Sequence, residues 1–329
     1  MSRAEGAFEH WACIYDDDSQ FLETVLPFLT DGLALGEPVL VVTTAANLEL
    51  LGAALGERSA EVDYAESAFF GRRPPRRVGA FYRYWKGGQD ISGGRRVRIV
   101  AEPVWSGRSA REITAWTRME SALNVTLAST SISMICPYDA RTTDAHILAD
   151  ALRTHPAQVA GSRHSPSPQY TDPAAFARSC DARPLAQPPE GAETFGFDGD
   201  LRALRRFIAG SAGAHGVSGD RADMLVLAVS EIGAYLKSQW PASATVRTWE
   251  QPGSIVCDFR QPGAIISDPF LGLRPAELVP GDGDGLWLAN QICDWMEIRS
   301  DAAGSTIQLQ IPSSHDQEMA AQPGTRYPA

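Results

Sequence analysis

The chain lacks the usual phosphate-binding loops. No G-x-x-x-x-G-K-[ST] or G-x-G-x-x-G follows its first candidate strand, so a ligand there is held without a P-loop or a dinucleotide fingerprint. No apolar run reaches membrane-spanning length. The opening MSRAEGAFEHW has no apolar signal core, and the expected location is the cytoplasm. No C-x-x-C pair occurs among the five cysteines at 13, 136, 180, 257 and 293. Their odd number points to reduced thiols rather than a disulfide frame. His10 and Cys13 are two candidate metal ligands, which is short of a site, and no metal is expected. Positive charge is also scarce: 29 Lys and Arg against 40 Asp and Glu leave a net charge of −11. That excludes broad contact with nucleic acid or an anionic membrane.

One basic stretch, RRPPRRVGAFYRYWKGG at 72–88, runs against the overall charge. Interleaved arginines and aromatics fit single-stranded nucleic acid. The preferred reading is an amphipathic helix after Pro-Pro, because Val78, Phe81, Tyr82 and Trp85 fall at i, i+3, i+4 and i+7 with the charges outward.

At 329 residues, 44% hydrophobic and 21% charged, the chain suits two globular domains. Residues 1–160 alternate continuous apolar strands (11–16, 38–44, 96–102, 131–139) with helices (18–36, 46–55, 78–86, 109–128, 144–156). That order predicts an α/β domain with a parallel sheet covered on both faces. Residues 161–195 are rich in Pro, Ser and Ala and read as a linker with one short helix at 173–180. Residues 196–313 place helices at 199–212 and 218–240, the second capped by Ser218, before strands at 245–251 and 254–261 and a closing hairpin. This predicts an α+β domain, one antiparallel sheet under a helical layer. The polar tail 314–329 is expected to be disordered.

Two resemblances follow from particular stretches. HWACIYDDDSQF, PFLTDGLALGEPVLVV, AEPVWSGRSAREITAWTRMESALNV and CPYD…ILADALRTHP resemble the MEDS sensory domain of methanol and dichloromethane regulators and of some regulatory kinases. The resemblance spans roughly residues 8–160. It implies a RecA-like α/β fold with no P-loop and a sensory role for a small-molecule ligand. His10, Tyr15, Glu102, Trp105 and Glu120 match its motif positions, although caps, core packing and internal ion pairs also account for such residues. MLVLAVSEIGAYL and GDGDGLWLANQICDWMEIRS…GSTIQLQIP resemble the GHKL ATPase-like sandwich (HATPase) of anti-sigma-factor serine kinases, over residues 195–312.

The GHKL resemblance implies an ATP site whose key groups differ here. Where the family sets a Glu four residues before a magnesium-binding Asn, this chain has Glu231 and Tyr235. A neutral phenol is a poor magnesium ligand. The Asp of the adenine-binding D-x-G turn is replaced by Gln261, with Gly263 retained. Losing a charged acceptor costs binding, since hydrogen bonds to charged groups contribute about 1.5–3 kcal/mol. The lid GDGDG keeps glycines at 281, 283 and 285 but adds Asp282 and Asp284, which repel phosphate. Asp258 and Asp268 are nearby carboxylates that would rescue adenine contact, and Thr306 is a candidate for the base pocket. ATP with Mg²⁺ is accordingly doubtful as a cofactor, and none is expected. Glu231 reads as a remnant base.

The preferred function is a signal-transduction regulator. Its sensory domain is coupled to a degenerate module that binds a sigma factor or an anti-sigma antagonist in transcription control. The alternative is an active ATP-dependent serine/threonine kinase that phosphorylates an antagonist protein, and whether the chain is an enzyme stays open on sequence.

Overall fold

The computed structural model describes residues 7–240, 243–278, 281 and 283–313, and of Ile91 only the backbone. The expected disordered tail and Asp282 lie outside the described residues. The chain divides after Cys180 into two compact units.

The first unit is a seven-stranded sheet with helices. Its elements are β1 (Glu9–Tyr15), α1 (Asp18–Ala34), β2 (Val39–Thr43), α2 (Ala45–Leu55), β3 (Asp63–Glu66), α3 (Pro74–Ser92), β4 (Val97–Ala101), α4 (Ala110–Thr126), β5 (Ile132–Asp139), α5 (Ala145–Thr154), β6 (Ala157–Ala160), β7 (Arg163–Pro166) and α6 (Pro173–Cys180). The order across the sheet is β3-β2-β4-β5-β1-β6-β7. All pairings are parallel except the β6–β7 hairpin. Every residue of β2 is buried. That matches the sheet's cover on both faces and explains why the strand is apolar without alternation.

Local chemistry sets the element ends. Asp17 caps α1 by accepting from the Gln20 backbone N–H. Ser109 and Glu112 form a reciprocal capping box on α4. Pro74 and Pro75 occupy the first turn of α3, where a missing N–H costs nothing, so that helix begins four residues before the expected 78–86. Val78, Phe81 and Tyr82 are buried as expected. Arg77 is not outward-facing. Its guanidinium lies in the core, donates to the Phe70 and Glu102 carbonyls at 3.0 and 3.2 Å, and faces the rings of Phe70, Phe81 and Trp116.

The stretch read as a linker is divided between the units. The β6–β7 hairpin and α6 complete the first. There Phe176 and Ala177 are buried, and Arg118 of α4 donates to the Ala177 carbonyl. The second unit adds β8 (Glu193–Phe197) from the same stretch, then α7 (Leu201–Ala214), α8 (Asp220–Gln239), β9 (Ala244–Gln251), β10 (Ser254–Pro262), α9 (Asp284–Ile292), β11 (Trp295–Asp301) and β12 (Gly304–Pro312). Its sheet order is β11-β12-β10-β9-β8, antiparallel throughout. One core joins the buried sides of α7, α8 and α9 to the sheet. The N-cap of α8 is Gly219, at φ +59, without a side-chain cap bond. Ser218 therefore does not cap it, because the left-handed glycine turns the chain one residue later.

Candidate functional site

In open α/β sheets, ligands bind beyond the carboxyl ends of the strands where neighbouring strands send their chains in opposite directions. From β2 the chain moves outward to β3, and from β4 inward to β5. The crevice between β2 and β4 is therefore such a point. A cavity of about 420 Å³ opens there, lined by Tyr15, Asn47, Glu102, Asp139 and Arg141 among others.

Each of these side chains follows the last residues of a strand or starts a helix. Tyr15 ends β1, Glu102 follows β4, and Asp139 ends β5. Asn47 sits in the first turn of α2. Buried Glu102 is the hub: it accepts from Tyr15 Oη at 2.8 Å, from Asn47 Nδ2 at 2.9 Å, and from the Thr43 hydroxyl. Asn47 Nδ2 also lies 3.0 Å from Tyr15 Oη. Burial and the neighbouring Glu102 push the Tyr15 phenol well above its ordinary range, so it stays protonated as a donor. At the rim, Arg141 pairs with Asp139 at 2.8 Å and Asp18 at 3.0 Å. Its guanidinium holds the Asp139 carboxyl below the usual carboxylate range.

The connection from β1 to α1 is only Asp16 and Asp17. Asp17 spends its carboxylate on the helix's own N–H. A phosphate cradle has neither the length nor the charge it needs there. A second cavity of about 420 Å³ lies at the amino ends of the strands, lined by Glu9, Trp11, Arg96, Arg98 and Ser133 among others. Its arginines are engaged with Glu9 at 3.2 Å and Glu37 at 2.5 Å.

The five residues read as sensory positions separate into two groups. Tyr15 and Glu102 share the network above. His10 and Glu120 meet in the interior, His10 Nε2 lying 3.5 Å from Glu120 Oε2. Two residues not picked out from the sequence complete that group: Cys136, whose Sγ is 3.3 Å from His10 Nε2, and His155, whose Nε2 is 3.6 Å from Glu120 Oε2. Trp105 stacks on Tyr138 at 6.1 Å, and Tyr138 meets the His155 ring edge-on. Burial lowers both histidines to about 3, so both are neutral, and burial raises the Glu120 carboxyl. His10 and Cys13 do not converge. They stand three apart on β1, hence on opposite faces.

In the second unit, the positions read as an ATP site have close neighbours. Glu231 of α8 lies directly against Gly285 in the first turn of α9, so closely that a Cβ there would overlap its carboxylate. A Cβ on Gly283 would stand 2.8 Å from Leu271 Cδ1. Both glycines have ordinary negative-φ backbones. Neither is needed for bending, and each lies close to the end of a neighbouring side chain. Asp284 Oδ1 accepts from the Gly281 N–H at 3.2 Å, a local use for the lid carboxylate. Tyr235 is in the core, with its ring edge-on to Trp240 at 6.0 Å. Gln261 is buried at the end of β10, opposite Ser305, and the Gly263 N–H donates to the Ala303 carbonyl. Thr306 accepts from Arg260 at 3.2 Å. Asp258 and Asp268, the two carboxylates considered for adenine, are paired with Arg247 and Arg274.

The fold defines a doubly wound α/β domain with a crevice at its carboxyl end, followed by an antiparallel α+β domain. Residues 9–156 match the family model described as MEDS, the MEthanogen/methylotroph, DcmR Sensory domain. The match runs from β1 to just past α5, and both polar groups lie wholly inside it. No curated protein matches the chain. Among the described residues, no helix is long and apolar enough to cross a membrane.

Proposed function

We propose that this protein is a signal-transduction regulator whose N-terminal domain receives a small hydroxyl- or amine-bearing molecule in the carboxyl-end crevice. The observation that carries this reading is the convergence of Tyr15, Asn47 and Glu102 on one side of the 420 Å³ cavity, with Asp139 and Arg141 also lining it. A few oriented polar groups in a concave site are what small-molecule recognition requires. The lining carries Asp18, Glu49, Glu102 and Asp139 against one arginine. That balance favours neutral or cationic ligands over anions.

The C-terminal domain is the output. In this reading it is a GHKL-like module of the anti-sigma-factor kinase type that has given up ATP and Mg²⁺ and works by binding a sigma factor or an anti-sigma antagonist. Support comes from Tyr235, buried in the core where the resemblance expects a magnesium-binding Asn, and from Glu231, whose carboxylate lies against Gly285 at the start of α9. Met224 and Leu227 on α8 and Leu288 on α9 are large apolar side chains left exposed, material for a protein contact.

The test is calorimetric. Small polyols and amines titrated into the full chain are expected to give saturable heat that Asn47→Ala and Glu102→Gln abolish. Heat that both variants leave intact would move the site elsewhere. ATP·Mg²⁺ in the same cell is expected to give none. A low-micromolar affinity, or phosphoryl transfer to an antagonist protein lost in Glu231→Gln, would restore the kinase reading.

A further inference from the structure

Four donor side chains from separate parts of the chain converge inside the N-terminal domain: His10 on β1, Glu120 on α4, Cys136 on β5 and His155 just after α5. All four are buried, and their donor atoms lie within 4.8 Å of one another. We propose that they form a closed four-coordinate site for a borderline divalent metal ion of the zinc type.

The spacing is the first argument. Zinc bonds of about 2.0–2.3 Å to N, O and S in a tetrahedron put neighbouring donors roughly 3.3–3.7 Å apart. The three contacts that link the cluster are 3.3, 3.5 and 3.6 Å.

The second argument is the direction of the lone pairs. Asn124 Nδ2 donates to the Thr154 and Ser121 carbonyls at 2.7 and 3.1 Å. Its Oδ1 is therefore the acceptor for His10 Nδ1–H at 3.2 Å. The His155 Nδ1–H donates to the Ala151 carbonyl at 2.8 Å. Each imidazole thus has its proton on Nδ1, fixed by an outer partner, and turns a bare Nε2 toward Glu120. Such outer-shell bonds are what orient histidine ligands at metal sites.

A hydrogen-bonded polar cluster without metal explains less. Glu120 Oε2 and His155 Nε2 are both buried without a hydrogen-bond partner, yet they face each other across 3.6 Å. Two lone pairs aimed at one point are reconciled by a proton or a metal ion between them, and His10 Nε2 with Cys136 Sγ beside them complete a metal's shell. A divalent ion bound to the carboxylate and the Cys136 thiolate gives a neutral centre, and the thiol proton is released to solvent. The donor set selects the ion: thiolate and imidazole exclude the oxygen-seeking Ca²⁺ and Mg²⁺. Four protein ligands leave no open position, so the site is structural and clamps β1, β5, α4 and the end of α5 together. Phe8 stacks on His10 and Tyr138 meets His155 edge-on, which excludes water from the shell.

The experiment needs no knowledge of the sensory ligand. The purified full chain is assayed for bound metal, stripped with chelator, and titrated with Co²⁺ as a spectroscopic probe. Expected are one equivalent per chain, the intense visible bands of tetrahedral cobalt, and a thiolate-to-cobalt charge-transfer band that Cys136→Ser removes. Asn124→Ala, which leaves all four ligands in place, is expected to keep the band and weaken binding roughly 10–100-fold. Circular dichroism on each variant separates lost binding from lost fold. Wild-type chain with native dichroism that takes up no Co²⁺, or a charge-transfer band unchanged in Cys136→Ser, overturns the proposal.

Discussion

The two domains arrange their carboxylates differently. In the first, Glu102 gathers three donors beside a cavity, and Glu120 stands among two histidines and a cysteine. The groups converge and stay available. In the second, two carboxylates are spent on local cations, Asp258 on Arg247 and Asp268 on Arg274, and Glu231 lies against Gly285 of α9. A residue type at a family position therefore means little until its neighbours are known. A carboxylate matched by a local cation is structure, and one aimed at an opening or at another bare donor is a site.

The comparison can be broken most forcefully at Arg77. Its guanidinium is buried and its pKa is lowered to about 10 by that burial, so its carbonyl and ring partners must hold the charge. Arg77→Ala is expected to destabilise the first domain by about 3–5 kcal/mol, the cost of opening a buried charged arrangement, read as that domain's transition in urea. A loss under about 1 kcal/mol would mean that the charge already reaches water. Next is Tyr15→Phe, which removes one donor from Glu102. It is expected to cost about 1.5–3 kcal/mol and to weaken ligand binding with it. A stability loss with unchanged binding would make the network purely structural.

In the second domain the same test runs through packing. Gly285→Ala should cost about 1–3 kcal/mol by forcing α9 off Glu231. Glu231→Ala in the same chain should return part of that loss. A neutral Gly285→Ala, measured by denaturation, would show that the Glu231 carboxylate swings aside freely and that the contact does not hold α9 in place. The smallest effect lies at the rim. Asp139 is held below its ordinary range by Arg141, so its contribution is present above the unfolded carboxyl range and is lost as pH falls through its own lowered value. Arg141→Gln should shift the Asp139 titration upward in carboxyl-resolved NMR. The stability difference from wild type should fade in acid. It is small, because both side chains meet solvent.

Much of the fold was legible because continuous strands and capped helices carry strong local signals. VLVVT and ISMICPYD read correctly as buried strands, and the stretch 109–128 read correctly as a helix. What escaped were β3, β6, β7 and β8, each of four or five residues. Strands that short hold too few residues for alternation to show, and β3, β7 and β8 lie at sheet edges. The sites were half legible. Tyr15 with Glu102, and His10 with Glu120, came from motif positions, but nothing in the sequence paired them that way. Cys136 looked like one more apolar strand residue and His155 like a helix end, since their company comes from 16 to 145 residues away along the chain. Glu231 and Gly285 could be named from sequence. Their contact depends on how α8 and α9 pack, which periodicity does not encode.

Helix α6 has a practical consequence for anyone cutting this gene. The recognisable motif stops at 156, but Phe176 and Ala177 are sealed in the interior and Arg153 lies over the Phe176 ring at 4.8 Å. A truncation at the motif border would strip that cover from the helix that bears Glu120 and leave a sticky, half-dressed fragment. The natural seam for excision or domain grafting falls between Cys180 and Asp181.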